Sequence, residues 1–320
     1  MLNADCDKPK ARLGERDNMR STGHGGLFLH NLTDYFSMTK PAIASLNVFV
    51  GLATMLLAVG LHAVTANSLL LLGVAGFLSA AGAGALNCFI ERRIDFQMSR
   101  TRRRPLPSGR VSANGAFSFG LVLSVSGVAL AAFFLNALTA SFIGLGVIWY
   151  VFVYTLWLKP RTKWNIVIGG AAGSFSALAG WAAVTGSISM VALLVAFLIF
   201  LWTPGHFWGL AIAKAKEYAK VQVPMLPVVD GVQKSAVYAA VSNIALFPFT
   251  IGLFVLTAYQ GNIWAFILLG CILIAYNARF LAANLRMIKH PTPMSAWRVF
   301  KMSIVYLFVV LLLVVAAHLV

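Results

Sequence analysis

The sequence predicts an all-α, polytopic membrane protein with nine transmembrane helices. Three observations predict it. The 320 residues are 60% hydrophobic and 11% charged, whereas a soluble domain carries about 25% charged residues. Several apolar runs exceed the roughly 18 residues that mark a spanning helix. The runs are continuous rather than alternating. In lipid only helices and closed barrels satisfy their own backbone hydrogen bonds, so these runs read as helices.

Residues 1–38 read as a polar N-terminal cytoplasmic arm, in which Lys8, Lys10, Arg12, Arg16 and Arg20 mix with acids and no signal-peptide pattern occurs. Residues 39–320 read as one transmembrane domain. Its apolar segments are expected at 41–61, 68–90, 113–134, 138–157, 165–184, 188–212, 236–258, 262–284 and 299–319. The connections alternate in character. Those at 91–112, 158–164, 213–235 and 285–298 are basic, and all but the second are long. Those at 62–67, 135–137, 185–187 and 260–261 are short and uncharged.

Nine spans put all 25 Lys and Arg, and all nine Asp and Glu, on the N-terminal side or at helix ends facing it. Eight or ten spans would break this alternation. The positive-inside rule makes the charged side cytoplasmic and the C-terminus external, as in a bacterial inner (plasma) membrane. The net charge of +16 is therefore read as orientation rather than as nucleic-acid binding. Cys6, Cys88 and Cys271 are scattered, without metal spacing or a disulfide framework, and read as unpaired thiols.

Three polar blocks on the charged side carry the chemistry. The second span runs into Asn87, Glu91 and Asp95, spaced i, i+4 and i+8. On a helix they form one stripe with about 6 Å of rise between neighbours. Oxygen ligands of this kind suit Mg²⁺, which takes carboxylate, amide, water and phosphate oxygens. Just beyond lie Arg100, Arg102, Arg103 and Arg104, which can pair bidentately with phosphate. A bland reading is a basic flanking loop with balancing acids. Asn87 and Glu91 argue against it, because polar groups at the end of an apolar span are costly and usually functional.

The second block, Thr203 to Pro227, follows the sixth span. Glu217 is a candidate second metal ligand there, and Lys214 a candidate phosphate ligand. His206 has a satisfied structural histidine as its default reading, with substrate contact as the alternative; Tyr218 is a further candidate contact. The third block, Lys159 to Gly170, adds Lys159 and Arg161 as candidate diphosphate ligands and Asn165 as a polar group at the cavity mouth.

These blocks resemble the intramembrane prenyltransferases of the UbiA superfamily, and within it the members that farnesylate haem. The first block is similar to N-x-x-x-D-x-x-D-x-x-M-x-R-T-x-x-R-P-L-P-x-G from Asn87 to Gly109. The second is similar to T-P-x-H-F-W-x-L-A-I, then D-Y, then V-P-M-L-P-V-V, from Thr203 to Val229. The third is similar to K-R-T-x-x-N-I-x-I-G-G from Lys159 to Gly170, with Ala179-Gly180-Trp181 further on. Glu91 and Glu217 stand where the pattern has aspartate, and Arg93 where an acid is common.

The resemblance implies nine helices around a central cavity open to the cytoplasmic side. It implies Mg²⁺ as cofactor, farnesyl diphosphate as donor, and a vinyl group of haem B as acceptor, giving haem O. It further implies catalytic roles for Asn87, Glu91 and Asp95, and association with haem A synthase or with terminal oxidase assembly. Other readings stay open: a superfamily member acting on an aromatic or quinone precursor, and, from another class, a haem carrier or transporter. Transport is disfavoured because charge is missing from the middle of the expected spans.

Overall fold

The computed structural model describes residues 32–258 and 262–319, so residues 1–31 of the expected arm, with Cys6, lie outside the described residues. Residues 32–38 of that arm are a short helix, α1. Among the described residues, nine helices are long and apolar enough to cross a membrane.

The first is α2 (Pro41–Ala63), with proline in its first turn and a break at Gly60 (φ 71°). Next come α3 (Ala66–Gln97), α4 (Ala113–Phe134) and α5 (Ala137–Ile148). α5 continues as a π-helix over Trp149–Leu158 to complete the fourth span. The short α6 (Asn165–Gly169) and α7 (Ala171–Thr185) together make the fifth span, and α8 (Met190–Ala213) the sixth. The short α9 (Ala215–Lys220) and α10 (Leu226–Val229) precede α11 (Val232–Ala258), α12 (Ile263–Lys289) and α13 (Pro293–Leu319).

The nine expected spans match these helices, but the apolar runs understate the charged ends. α3 extends through Gln97, α12 through Lys289, and α13 starts at Pro293. An apolar run measures bilayer thickness, whereas a helix continues into the interface wherever its side chains remain good helix formers.

Lipid offers no hydrophobic drive to pair helices, so close approach depends on small residues. The tightest seam joins α3 and α4. A side chain at Gly82 would strike Ser124 and the Gly120 backbone, and one at Gly127 would strike Ser79. A second close crossing joins α2 and α7, where a Cβ on Gly180 would collide with the Gly51 carbonyl.

Polar groups knit the last helices together. Asn243 of α11 donates to Asn284 of α12 at 2.8 Å. The Tyr306 hydroxyl of α13 donates to Asn277 of α12 at 2.6 Å and lies 3.2 Å from Thr250 of α11. α13 is also bound to α8 through Trp202 Nε1, which donates to the Ser303 carbonyl at 2.8 Å.

Candidate functional site

The charged end of α3 organises the site. Its helical period puts Asn87, Glu91 and Asp95 on one face, and all three are buried, at 1%, 8% and 3% exposure. A cation meets each of them. Lys40 Nζ donates to Asn87 Oδ1. Lys159 Nζ is paired with Glu91 Oε1. Arg104 Nη1 is paired with Asp95 Oδ2 at 2.8 Å.

Three different segments supply these cations. Lys40 sits in the turn between α1 and α2 with a left-handed backbone (φ 51°), an uncommon conformation for a side-chain-bearing residue. Arg104 lies on the turn after α3, which folds back because Thr101 Oγ1 donates to the Asp95 carbonyl at 2.9 Å. Pro105 and Leu106 pack beneath that turn, and Gly109 (φ 78°) lets it close. Lys159 follows the π-helix directly.

The π-helix shapes the opposing wall. Its i→i+5 pairing appears in the bond from Lys159 N to the Tyr154 carbonyl at 2.9 Å. That pairing brings Tyr150, Tyr154, Thr155 and Lys159 round to α3. Asn87 Nδ2 donates to Thr155 Oγ1 at 3.0 Å. Lys40 Nζ also reaches the Tyr150 hydroxyl at 3.3 Å. The Tyr150 and Tyr154 rings stack at 5.8 Å, and the Lys159 ammonium lies 5.8 Å from the Tyr154 ring centre.

Electrostatics keep the cations charged. Burial alone would lower the Lys159 pKa, but Glu91, helped by the neighbouring tyrosines, holds it above the ordinary lysine value. Burial likewise pulls against Arg104, and Asp95 outweighs it. Lys40 is raised for the same kind of reason, with Tyr150, Cys88 and Glu91 opposing its burial.

The other expected site residues are placed unevenly. Arg100, Arg102 and Arg103 are exposed at the rim, so of that run only Arg104 reaches the stripe. Arg161, expected as a diphosphate ligand, is exposed and bonds backbone at the end of the π-helix. Its Nη1 donates to the Leu156 and Trp157 carbonyls, each at 3.0 Å, where it satisfies the end of the π-helix. Lys214 pairs with Glu217 within one turn at 3.3 Å, and Glu217 Oε2 is buried without a partner. Tyr218 is buried, close enough to Lys159 to influence its charge. Asn165 is fully buried. It donates to the Thr162 carbonyl and to Met225 Sδ, which ties the third block to the second, while its Oδ1 has no partner.

His206 is buried and packed as its default structural reading expects. Its ring is sandwiched between Trp202, at 4.2 Å, and Phe300, at 4.5 Å, and Nδ1 lies 2.7 Å from Ser303 Oγ.

Reading the sequence missed Lys40, Tyr150, Tyr154 and Thr155. Lys40 carried one signal, as the last charge before the first span. The aromatic pair carried another in its four-residue spacing, although that spacing does not reveal a π-helical phase.

The donor set suits a hard divalent cation. Two carboxylates and an amide line one face, and Mg²⁺ commonly takes one or two carboxylates with water and phosphate completing its shell. Among the described residues no three His, Cys, Asp or Glu side chains converge on one point, so Glu217 does not join Glu91 and Asp95 in a single cluster. The unpartnered Glu217 oxygen fits a separate ligand role.

Known proteins share the sequence and the fold of this chain. Residues 47–311 match the model of the UbiA prenyltransferase family. A protoheme IX farnesyltransferase of Alkalilimnicola ehrlichii is 40% identical over 291 residues, covering 90% of this chain and 92% of its own. One of a Roseiflexus species is 38% identical over 299 residues, 93% of this chain. The chain spans about half the length of that relative and of its counterpart in Roseiflexus castenholzii, 54% and 50%. Among solved structures, a UbiA homolog from Archaeoglobus fulgidus bound to DMAPP and Mg²⁺ superposes with a TM-score of 0.66 at 15% identity, covering 87% of this chain and 99% of that one. A digeranylgeranylglyceryl phosphate synthase gives 0.67 at 20% identity, covering 90% and 99%.

Proposed function

Since the chain belongs to the UbiA prenyltransferase family, we propose that it transfers a farnesyl group from farnesyl diphosphate to a vinyl group of protohaem IX (haem B), giving haem O. The observation that carries the reading is the buried stripe of Asn87, Glu91 and Asp95 met by three separate cations. The farnesyl donor and haem acceptor follow the names of curated relatives that are 37–42% identical.

In this reading Asn87, Glu91 and Asp95 hold Mg²⁺, with Glu217 available to a second ion. The chemistry that Mg²⁺ supplies there is neutralisation of diphosphate charge, so that the diphosphate leaves more readily. A solved UbiA homolog bound to DMAPP and Mg²⁺ supports that donor chemistry. Lys40, Lys159 and Arg104 turn from the stripe towards diphosphate oxygens, joined at the rim by Arg100, Arg102 and Arg103. Lys214 forms part of the same reading on the Glu217 side.

The bond from farnesyl C1 to the bridging oxygen breaks, and diphosphate takes the electron pair. The terminal vinyl carbon bonds to C1. Water then adds at the other vinyl carbon and releases a proton, leaving a hydroxyethylfarnesyl chain. The Tyr150 and Tyr154 rings offer π-faces to positive charge beside the stripe, and the buried setting keeps bulk water away until the acceptor has reacted. Tyr218 and Asn165 are proposed to line the acceptor side.

The charged end is cytoplasmic and the C-terminus external, in a bacterial inner membrane. Haem A synthase or terminal oxidase assembly would receive the product.

Proteoliposomes given Mg²⁺, farnesyl diphosphate and haem B should form haem O by mass spectrometry. A correctly inserted Asp95→Asn protein should lose roughly 100-fold or more of that rate, the scale on which a developing charge depends on one placed group. Farnesylation of 4-hydroxybenzoate with haem untouched would instead favour an aromatic acceptor.

A further inference from the structure

On the opposite side of α3 from the stripe is a second basic site. Arg92, Arg93, Phe96 and Gln97 lie between about 100° and 240° around the helix from Glu91, so they face away from the bundle interior. With Leu106 and Pro107 they line an open pocket of roughly 410 Å³. No carboxylate partner is assigned to Arg92 or Arg93 among the described residues. Arg92 lies over the Phe89 ring at 4.5 Å and spends one N–H on the Phe89 carbonyl at 2.7 Å, which fixes its guanidinium at the rim.

The apolar part of the site is equally specific. Phe96 is 66% exposed. One to two turns deeper along the span, Phe89 contacts the half-exposed Phe117 of α4 at 5.3 Å. The order from the helix end inward is therefore Phe96, then the two cations, then the aromatic surface of Phe89 and Phe117. A free anion would use only the cations. An amphiphile with a phosphate head and an acyl chain would use the cations and that surface.

We propose that this pocket binds an anionic glycerophospholipid, its headgroup phosphate on Arg92 and Arg93 beneath Phe96 and an acyl chain along Phe89 and Phe117. Basic pockets beside spanning helices recognise anionic headgroups by the same combination of charge and depth. The proposal is independent of the prenyltransferase reading, because none of these side chains is on the stripe.

Native mass spectrometry of the detergent-solubilised full chain tests it, with phosphatidylglycerol and phosphatidylcholine as probes. The wild type should retain one phosphatidylglycerol that phosphatidylcholine does not displace. Arg92→Gln with Arg93→Gln should weaken retention by roughly 30-fold, from about fivefold per arginine at an anionic surface. Phe117→Ser, at an exposed position and without a change in charge, should weaken it too. A charge-matched control, Lys289→Gln with Lys301→Gln, should leave retention intact. Equal loss in the control would mean general electrostatic attraction and would overturn the proposal. So would equal retention of both lipids, competition by millimolar inorganic phosphate, or no lipid on the wild type.

Discussion

Glu91 and Lys159 show what burial does to a charge at the residue scale. Both side chains are mostly enclosed, at 10% and 15% exposure. Removing one partner strands the other in a poorly solvated place, which typically costs 3–5 kcal/mol. Lys159→Met should therefore lower thermal stability in detergent by about that amount. Glu91→Gln with Lys159→Met should recover most of it, although neither variant should retain activity. An additive cycle would show that the two side chains do not interact. Arg161 gives the opposite expectation. Because it is spent on the Leu156 and Trp157 carbonyls, Arg161→Ala should leave the KM for farnesyl diphosphate unchanged while costing up to about 1 kcal/mol of stability. A raised KM with unchanged stability would return Arg161 to the diphosphate site. At this scale the stripe was legible, because helical period alone aligns positions 87, 91 and 95. Arg104 and Lys159 were legible as nearby cations, but their pairing with Asp95 and Glu91, and the part of Lys40, were not. Lys40 and Lys159 lie 47 and 68 residues away in sequence, and no local pattern encodes a contact at that distance. For Arg161 the charge and proximity to Lys159 were visible, whereas the open carbonyls of a π-helix end were not.

At the scale of elements, nine helices could be read from composition because lipid leaves the backbone little choice. Their packing was less visible. Glycines at 51 and 180 look like ordinary small residues in apolar runs, yet they mark the contact of α2 with α7. Gly180→Ala should force these helices apart, at the 1–3 kcal/mol typical of overpacking. The shift in melting temperature would check this, and an unchanged melt would refute the close crossing. The π-helix was the feature least accessible to sequence reasoning. A period of 3.6 projects Tyr150, Tyr154 and Lys159 differently from the wider π turn that brings them together beside α3. Such turns occur often at functional sites, and this one explains how a tyrosine pair and a lysine share one wall.

On the scale of the whole molecule, charge asymmetry is the most readable property and the least local. With Cys6, Cys88 and Cys271 replaced by serine, Ser187→Cys should react with a membrane-impermeant maleimide applied outside cells. Ser108→Cys should react only after the membrane is opened. The reverse result would invert the topology. The hydrogen bonds joining Asn243 to Asn284, and Tyr306 to Asn277 and Thr250, have a different consequence. They lie within α11, α12 and α13, which a ribosome releases after α8. Polar side chains left alone in lipid seek one another, so α11, α12 and α13 carry the means to find their mutual register before meeting α8. These three helices can then pair as a pre-sorted unit rather than as three separate insertions, and the unit docks on α8 along Trp202 and Ser303, with Ser242 donating to the Leu201 carbonyl.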